Sequence, residues 1–563
     1  MGSAFFEMNI AVTGLFAAQR GLAVTSNNIN NAATKGYSRQ VLDQRAANAL
    51  PGYGKGMIGT GVETTQVRRI RDSYLDQKLW GQKDTLGEYK IKNEQNSLIE
   101  SIFGEPSDAG FTKVFDDLFS SINDLTKLPS EGERQDALRQ MAISFTKYYN
   151  SASGKLTEYQ RDLNFELKSK VEELNNLVTR ITSLNDQIYR AELTGDIANT
   201  LRDERELCVD RLSQIVNVDA QEIEVTRPDG QKDKQFQIKM NGQVLVDHTF
   251  GRLMKVSSRA EGDKNNPEDG EGLYDVMWED GLTFYMNDKD LSGELKGIID
   301  MRDGRGSSSF TVDGVEQDPA VKYKGIPYYI NKLNQFVQTF AKSMNEVYNQ
   351  DKDGKQVLTD FELKNGTTVG GGTSVKVPKY LMFSFTEGNE KTPANIEDLL
   401  LKGQDGKVIV DADGVAQIDY SKITAKEFSI SADILESGSN IRTNYEHDPL
   451  EGKNPNPSNN DLLLALAGQK NNRKMFKDGD PKDFMVSMFS ELGINAKEAA
   501  MYETTQTNVI TTIENQRLAV SQVDTNEEFI NLVKYNQAYQ AAAKVLTTID
   551  GIYETTIFKL GSW

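Results

Sequence analysis

Few side chains in this sequence could perform catalysis or bind a metal ion. The chain has one cysteine, Cys208, and two histidines, His248 and His447. Structural zinc sites use four nitrogen or sulfur ligands, so a Cys/His zinc site within one chain is all but excluded, and an intramolecular disulfide is impossible. We therefore expect no catalytic residue, no metal site and no cofactor. We interpret Cys208 as a small packing residue and His447, which lies between acidic residues in a polar segment, as solvated.

Two glycine- or aspartate-containing loops match ligand-binding patterns only in part. Gly54, Gly56 and Gly59 have G-x-G-x-x-G spacing, but a strand is predicted after them, whereas a dinucleotide fingerprint follows a strand and opens a helix. Residues 349–360 carry oxygen-bearing side chains at several EF-hand positions. The twelfth position is Asp360 instead of a bidentate glutamate, and the ninth is a valine. We interpret these loops as a glycine-rich loop and a polar turn, with calcium binding at 349–360 left open.

Composition and charge narrow the possible partners. The 563 residues suggest about four domains at roughly 150 residues per domain. The formal net charge of −19 argues against a nucleic-acid partner and against binding to an anionic membrane surface. No apolar stretch is long enough for a membrane span, and the N-terminal residues lack the pattern of a cleaved signal peptide.

Both ends of the chain have a seven-residue apolar repeat. The N-terminal repeat consists of Met8, Ala11, Leu15, Ala18, Leu22, Thr25 and Ile29. The C-terminal repeat consists of Leu532, Tyr539, Leu546, Tyr553 and Leu560. This spacing predicts amphipathic helices, and the small residues of the N-terminal repeat would allow close approach of two helix backbones. Because terminal segments fray unless they are held, we favour pairing of the two ends with each other or with other copies over packing of each on its own core.

The interior alternates between helical and strand-like segments. Apolar periodicity predicts a helix from about residue 156 that breaks at Gly195, a second helix over 199–215, and another over 330–348. Strands and turns dominate the two blocks between them, including a hairpin around Asn241-Gly242, and the charged loop 261–272 is expected to be mobile. We predict an α+β multidomain fold with a discontinuous helical stalk and inserted β-rich domains. Its domains would be a terminal helical core (1–35 with 525–563), a helical stalk (36–218 with 325–350 and 461–524) and two β-rich outer domains (219–324 and 351–460).

The segment after the N-terminal repeat carries a specific signature. Residues 26–40 read SNNINNAATKGYSRQ, which resembles the N-terminal signature of the axial family of bacterial flagella, the rod, hook and hook-associated proteins. The matching residues include Asn27, Asn28, Asn31, Gly36, Tyr37, Ser38 and Arg39. Lys35 stands where the family usually has proline, which removes one fixed backbone angle from the bend. Residues 527–541 resemble the family's C-terminal signature, and residues 37–40 and 184–213 resemble its hook–filament junction branch.

The resemblance implies a structural role in the bacterial flagellum and no catalysis. Such a protein joins the distal end of the hook to the filament through the filament-side hook-associated junction protein. The implied partners are the hook protein, that junction protein, copies of this chain in a ring or short helical layer, and a cytoplasmic export chaperone, with neither nucleic acid nor membrane among them. The implied location is extracellular, after type III export. Both terminal repeats would form the assembly interface, and the C-terminal repeat would also bind the chaperone. The alternative from the residues alone is a secreted adhesin or binding module carried by the β-rich domains.

Overall fold

The computed structural model describes residues 3–51, 56–105, 107, 110–193, 195–226, 232–312, 315–363, 374–386, 393–403, 406–477 and 479–556. The α-helices in these ranges are α1 (Ser3–Asn31), α2 (Ser73–Phe103), α3 (Phe111–Lys127), α4 (Gly132–Glu192), α5 (Asn199–Ile215), α6 (Glu294–Asp303), α7 (Ile326–Tyr348), α8 (Ala432–Glu436), α9 (Asp461–Gly468), α10 (Pro481–Ser521) and α11 (Thr525–Glu554). The fold is the α+β arrangement of long helices and small antiparallel sheets that the sequence predicts. No described helix is long and apolar enough to cross a membrane.

The two terminal helices, α1 and α11, pack against each other. The small residues Ala11, Ala18 and Thr25 are buried, as the spacing of the N-terminal repeat predicts. At Gly21 the helices approach so closely that a Cβ atom would lie 2.6 Å from Cδ1 of Tyr535. The pairing therefore depends on residues without bulky side chains along one face of α1.

The stalk is a helix bundle built around α4, which is 61 residues and so about 90 Å long. Helix α4 begins at Gly132, earlier than the predicted 156, because apolar residues such as Leu138, Phe145 and Tyr149 continue its helical spacing toward the N-terminus. Helix α5 has the predicted bounds, Asn199–Ile215. Helix α6 was not predicted: it lies within the strand-like block and packs against α2 and α4.

Aromatic rings fill one part of the bundle core. Phe336 of α7 is fully buried and stacks on Tyr149 (5.2 Å between ring centroids), Phe476 (5.3 Å) and Phe340 (5.6 Å). Such pairs contribute beyond simple burial of area because ring edges and faces are electrostatically complementary. The core thereby joins α4, α7 and the segment before α10.

Phe336→Leu is expected to lower the free energy of unfolding by about 1–2 kcal/mol, since the ring contacts are lost while most of the volume is kept. Urea denaturation of the full-length protein measures this change. The matched control is Phe165→Leu on α4, where the ring is 58% exposed and the same substitution should change the stability by less than about 0.5 kcal/mol. Equal effects of the two substitutions would contradict the packing argument.

The strands form one four-stranded sheet and several two-stranded ones. They are β1 (Gln40–Ala46), β2 (Leu50–Pro51), β3 (Met57–Ile58), β4 (Val62–Arg69), β5 (Asp219–Thr226), β6 (Lys232–Met240), β7 (Gln243–Asp247), β8 (Phe250–Gly251), β9 (Met254–Ser258), β10 (Tyr274–Trp278), β11 (Phe310–Val312), β12 (Val315–Gln317), β13 (Leu358–Glu362), β14 (Ser374–Pro378), β15 (Phe383–Phe385) and β16 (Phe428–Ile430). The larger sheet is antiparallel in the order β5-β6-β7-β8 and packs on α4. Its predicted hairpin is confirmed: Asn241 and Gly242 both have positive φ between β6 and β7.

The charged loop 261–272 is held by buried hydrogen bonds, although its composition predicts a mobile segment. The side chain of Asp269 is buried and accepts hydrogen bonds from Nε2 of Gln160 on α4 (2.9 Å) and from the backbone N–H of Asn266 (3.0 Å). Burial, reinforced by Asp303, raises the pKa of Asp269 to about 6. A polar loop can thus be held by a buried hydrogen-bond network that composition alone does not indicate.

Candidate assembly site at the joint between the terminal helices and the stalk

The N-terminal signature forms the bend that follows α1. Asn28 pairs with the backbone of Gln40 as a neighbouring strand would: Nδ2 donates to the carbonyl oxygen (2.8 Å) and Oδ1 accepts from the N–H (2.9 Å). Tyr37 donates its hydroxyl to Oδ1 of Asn28 (2.9 Å) and accepts from Nδ2 of Asn27 (3.2 Å). Burial, with Asp203 and Glu528 nearby, raises the pKa of Tyr37 to about 12, so it remains a donor at neutral pH.

The bend does not need the proline that Lys35 replaces. Asn31 donates through Nδ2 to the carbonyl oxygen of Asn27 (3.0 Å), and Thr34 donates its hydroxyl to Oδ1 of Asn31 (3.2 Å). Gly36 has φ = +82°, a backbone conformation that glycine adopts without strain. Side-chain hydrogen bonds therefore fix the end of α1, while Lys35 itself is exposed.

Arg39 connects the two termini. Its guanidinium binds the carboxylates of Glu528 (2.8 Å) and Glu527 (3.0 Å) in the first turn of α11, and its backbone N–H donates to the carbonyl oxygen of Ser521 (2.9 Å) at the end of α10. Glu528 is buried, so this pair is less screened by solvent than an ordinary surface salt bridge. The N-terminal linker and the C-terminal helices are thereby joined at one point.

Helix α5 presents an acidic face to this region, formed by Asp203, Glu206 and Asp210. These residues are spaced at i, i+3 and i+7, which places them on one side of a helix, and all three are buried. Asp203 accepts from the backbone N–H (2.9 Å) and the hydroxyl (2.7 Å) of Ser38 and from Nη1 of Arg69 (2.9 Å). Helix α5 therefore holds both the bend and strand β4.

The rest of the acidic face of α5 binds the end of strand β4, Arg71 after it, and the helices α2 and α10. Glu206 pairs with Arg69 and with Nε of Arg71 (2.8 Å). Asp210 accepts from Nε1 of Trp80 on α2 (2.7 Å) and from Nη1 of Arg517 on α10 (2.8 Å). We call residues 27–40, Arg69, Arg71, the acidic face of α5 and residues 517–528 the joint. It connects the terminal helix pair to the stalk through charges that are mutually compensated.

Glu206→Gln is expected to destabilise the protein by about 1–3 kcal/mol at neutral pH, because Arg69 and Arg71, whose side chains are largely buried, each lose one of their carboxylate partners. Burial alone would raise the pKa of Glu206, but Arg71 and Arg69 hold it below its usual value of 4.5. The contribution of the carboxylate is therefore present above pH 4.5 and is lost as pH falls through the lowered pKa of the folded state. Urea unfolding of both proteins between pH 7 and 3 should show the difference shrinking in acid, and a constant difference would contradict the pairing.

The described residues among the predicted assembly residues lie on the two helices that pack on each other, α1 and α11. Ala11 and Ala18 are buried, whereas Met8, Leu15, Leu22 and Ile29 are partly buried. Leu532, Leu546 and Tyr553 are also partly buried, Tyr539 is 37% exposed, and Leu560 lies outside the described residues. The two terminal helices thus pack on each other within one chain, with Ile549 as the buried apolar residue of α11, and α11 keeps an apolar face in solvent. That face consists of Ile530, Val533, Val545 and Ile552, each about half exposed.

The sequence analysis did not identify the charged residues of the joint, which are Asp203, Glu206, Asp210, Arg69 and Arg71. Carboxylates at helical spacing usually form a solvated face, and only the arginines that meet them in space reveal a buried network. The available signal was the i, i+3, i+7 spacing of the three acids within a segment that already resembled the axial family.

The weak ligand motifs do not form a site in the described part of the chain. Gly54 lies outside the described residues, and Gly56 lies beside the short strand β3. In the polar loop after α7, the carboxylate of Asp351 accepts from the backbone N–H groups of Asp353 and Lys355 (2.9 Å each), as in an Asx turn. No described cluster of His, Cys, Asp and Glu could hold a metal ion.

The expectation that His447 is solvated is wrong: it is buried, and Nδ1 accepts from the backbone N–H of Thr443 (3.1 Å).

Sequence comparison finds matches to flagellar proteins along the whole chain. The family described as "Flagellar hook-associated protein FlgK helical domain" matches residues 96–360, "Flagella basal body rod protein" matches 8–37, and "Flagellar basal body rod FlgEFG protein C-terminal" matches 514–557. Flagellar hook-associated protein 1 of Bacillus subtilis (strain 168) is 27% identical, with 100% of this chain and 99% of that protein covered. The protein of the same name from Salmonella typhimurium is 26% identical, with 98% and 99% covered.

The fold also has a solved counterpart. The flagellar hook junction protein FlgK from Burkholderia pseudomallei superposes with a TM-score of 0.52 at 12% identity, covering 79% of this chain and 100% of that one. Its likeness concerns the fold alone, whereas the sequence matches extend over both terminal signatures and the stalk. This chain is therefore similar along its whole length to flagellar hook-associated protein 1, and these matches support a structural component of the bacterial flagellum.

Proposed function

We propose that this chain forms the layer that joins the distal end of the hook to the filament, through the filament-side hook-associated junction protein. The joint is the observation that carries the proposal: the signature residues Asn28, Tyr37, Ser38 and Arg39 fix a paired terminal helix unit to a separate stalk. Such a unit can pack into a tube while the stalk and sheets extend outward. The names of the full-length relatives, hook-associated protein 1, support the same position.

The exposed surface supports assembly of several copies. The accessible surface is 29358 Å², whereas a compact monomer of 62.8 kDa exposes about 20,000 Å². A standard interface takes about 800 Å² from each partner, so the surplus suffices for several contacts. We propose that the contacts involve copies of this chain in a ring or short helical layer, the hook protein below and the filament-side junction protein above.

The terminal helices would need protection before assembly. The exposed face of α11 (Ile530, Val533, Val545 and Ile552) is an aggregation hazard in the cytoplasm. We propose that an export chaperone covers it until type III export delivers the chain outside the cell. We also propose that the terminal core, the stalk and the two β-rich blocks act as the domains predicted from the sequence, with the joint as the boundary between core and stalk.

Deleting the gene is expected to leave bare hooks and to release flagellin into the medium, because the filament would have no layer on which to grow. Electron microscopy of the cells and immunoblotting of the medium measure the two effects. Reintroducing the wild-type gene should restore attached filaments. Filaments of normal length and attachment in the deletion strain would contradict the proposed position.

A further inference from the structure

Helix α10 has one face that no described element covers. Its opposite side packs antiparallel against α2, where Tyr89 stacks on Tyr502 and Asn93 binds Glu503. The uncovered side, which we call the outer face of α10, consists of Ile494, Met501, Thr505, Val509, Thr512 and Val520. Ile494 is 65% exposed and Met501 58%, so large apolar side chains stand in solvent over several turns. A helix of a monomeric protein normally turns such residues toward its own core.

The threonine side chains on this face present less hydrogen-bonding capacity to a partner than the residue type suggests. The hydroxyl of Thr505 donates to the carbonyl oxygen of Met501 (2.8 Å), and that of Thr512 donates to the carbonyl oxygen of Asn508 (2.9 Å). Each hydroxyl hydrogen is therefore engaged within the helix, as in threonines that tolerate apolar surroundings. Thr505 and Thr512 thus add to the apolar character of Met501 and Val509 and do not interrupt it.

Beyond Glu498, which is exposed between Ile494 and Met501 on the same side of the helix, the outer face of α10 crosses a segment without charge. Residues 504–513 contain no Asp, Glu, Lys or Arg, in a chain in which 26% of residues are charged. The chain carries a net charge of −19, so two copies repel each other wherever their acidic surfaces meet. Close approach of like-charged copies is easiest along a neutral strip, whereas a basic partner would gain more from the acidic surfaces elsewhere.

We infer that the outer face of α10 is a lateral packing surface for a second copy of this chain. The contact lies on the stalk, beyond the terminal helices that define the proposed assembly unit, and the inference rests on the proposed function. A neighbouring copy in the layer would meet the outer face of α10 with a different part of its own surface, because a head-to-tail contact of this kind closes into a ring or continues as a helix. The surplus exposed surface leaves ample area for it.

Photo-crosslinking of assembled flagella identifies what lies on this face. With Met501 replaced by p-benzoyl-phenylalanine in the full-length protein, irradiation should link two copies of this chain, and mass spectrometry should identify both peptides. Links solely to the hook protein, to the filament-side junction protein or to a cytoplasmic protein would overturn the inference. Complete assembly without any link would overturn it as well.

A charge insertion tests whether the contact matters. Thr505→Glu combined with Val509→Glu should reduce the fraction of hooks that carry filaments at least about tenfold, since apposed like charges oppose association, and should leave thermal unfolding unchanged. The matched control is Ser183→Glu combined with Gln187→Glu, which adds two charges at the same spacing on exposed residues of α4. If both pairs complement the deletion strain fully, the inference fails while the proposed function stands. A deletion strain with normal filaments would instead refute the proposed function.

Discussion

Gly21→Val should prevent the protein from supporting filament growth even though the stalk remains folded. A Cβ atom at position 21 would lie 2.6 Å from Cδ1 of Tyr535, closer than packed atoms approach, so the branched side chain forces α1 and α11 apart. Overpacking of this kind costs about 1–3 kcal/mol, which lowers the equilibrium constant for pairing of the two helices roughly 5- to 150-fold. Electron microscopy should therefore show a corresponding loss of hooks with filaments.

The same helix provides the control. A Cβ atom at Gly14 would meet nothing within 4 Å, so Gly14→Val changes helix propensity in the same way without separating the helices. Combining Gly21→Val with Tyr535→Ala removes the ring and should restore part of the assembly. If Gly21→Val and Gly14→Val cells swim equally well, close pairing of the terminal helices is not needed.

The second large effect is expected for Asp203→Ala, which should lower the free energy of unfolding by about 2–4 kcal/mol. The carboxylate is buried and accepts from the N–H and hydroxyl of Ser38 and from Arg69. Its removal leaves the two Ser38 donors without this acceptor and takes from Arg69 one of its two carboxylate partners, since Glu206 remains. Urea denaturation of the full-length protein measures the loss. Limited proteolysis should also show faster cleavage near residues 32–40, because the bend is no longer tied to α5.

The control for this substitution is Asp186→Ala. Asp186 pairs with Arg190 one turn away on α4, but the two side chains are 41% and 74% exposed, so the pair is screened by water. Its loss should change stability by less than about 0.5 kcal/mol. A similarly small effect of Asp203→Ala would mean that the acidic face of α5 does not hold the joint together.

The terminal repeats were predictable because burial of apolar residues imposes a period on the sequence. Ala11, Ala18 and Thr25 form a column of small residues at seven-residue spacing, and all three are buried in the fold. The pairing of α2 with α10 left no such period, since polar pairs such as Asn93 with Glu503 and Lys83 with Glu514 make part of it. Only the long-range pairing of these side chains shows that their helices are neighbours.

The joint was predictable in part. The signature residues could be located by resemblance, but their chemical roles depend on carboxylates that look like an ordinary solvated face when read alone. Asp203 is 165 residues from Ser38 and 134 from Arg69, so no local pattern connects them. A single sequence shows how residues are spaced within one helix or strand. It does not show which other helices or strands pack against that element.

The joint also sets the order in which the chain can fold. The contact between Arg39 and Glu528 links residues 489 positions apart, and that between Asp210 and Arg517 links residues 307 apart. Contacts at such separations carry the full entropy cost of closing a long loop and form readily only after the intervening chain is compact. The two ends are therefore expected to meet only after the chain between them is compact, so a partly folded molecule would lack the paired terminal helices.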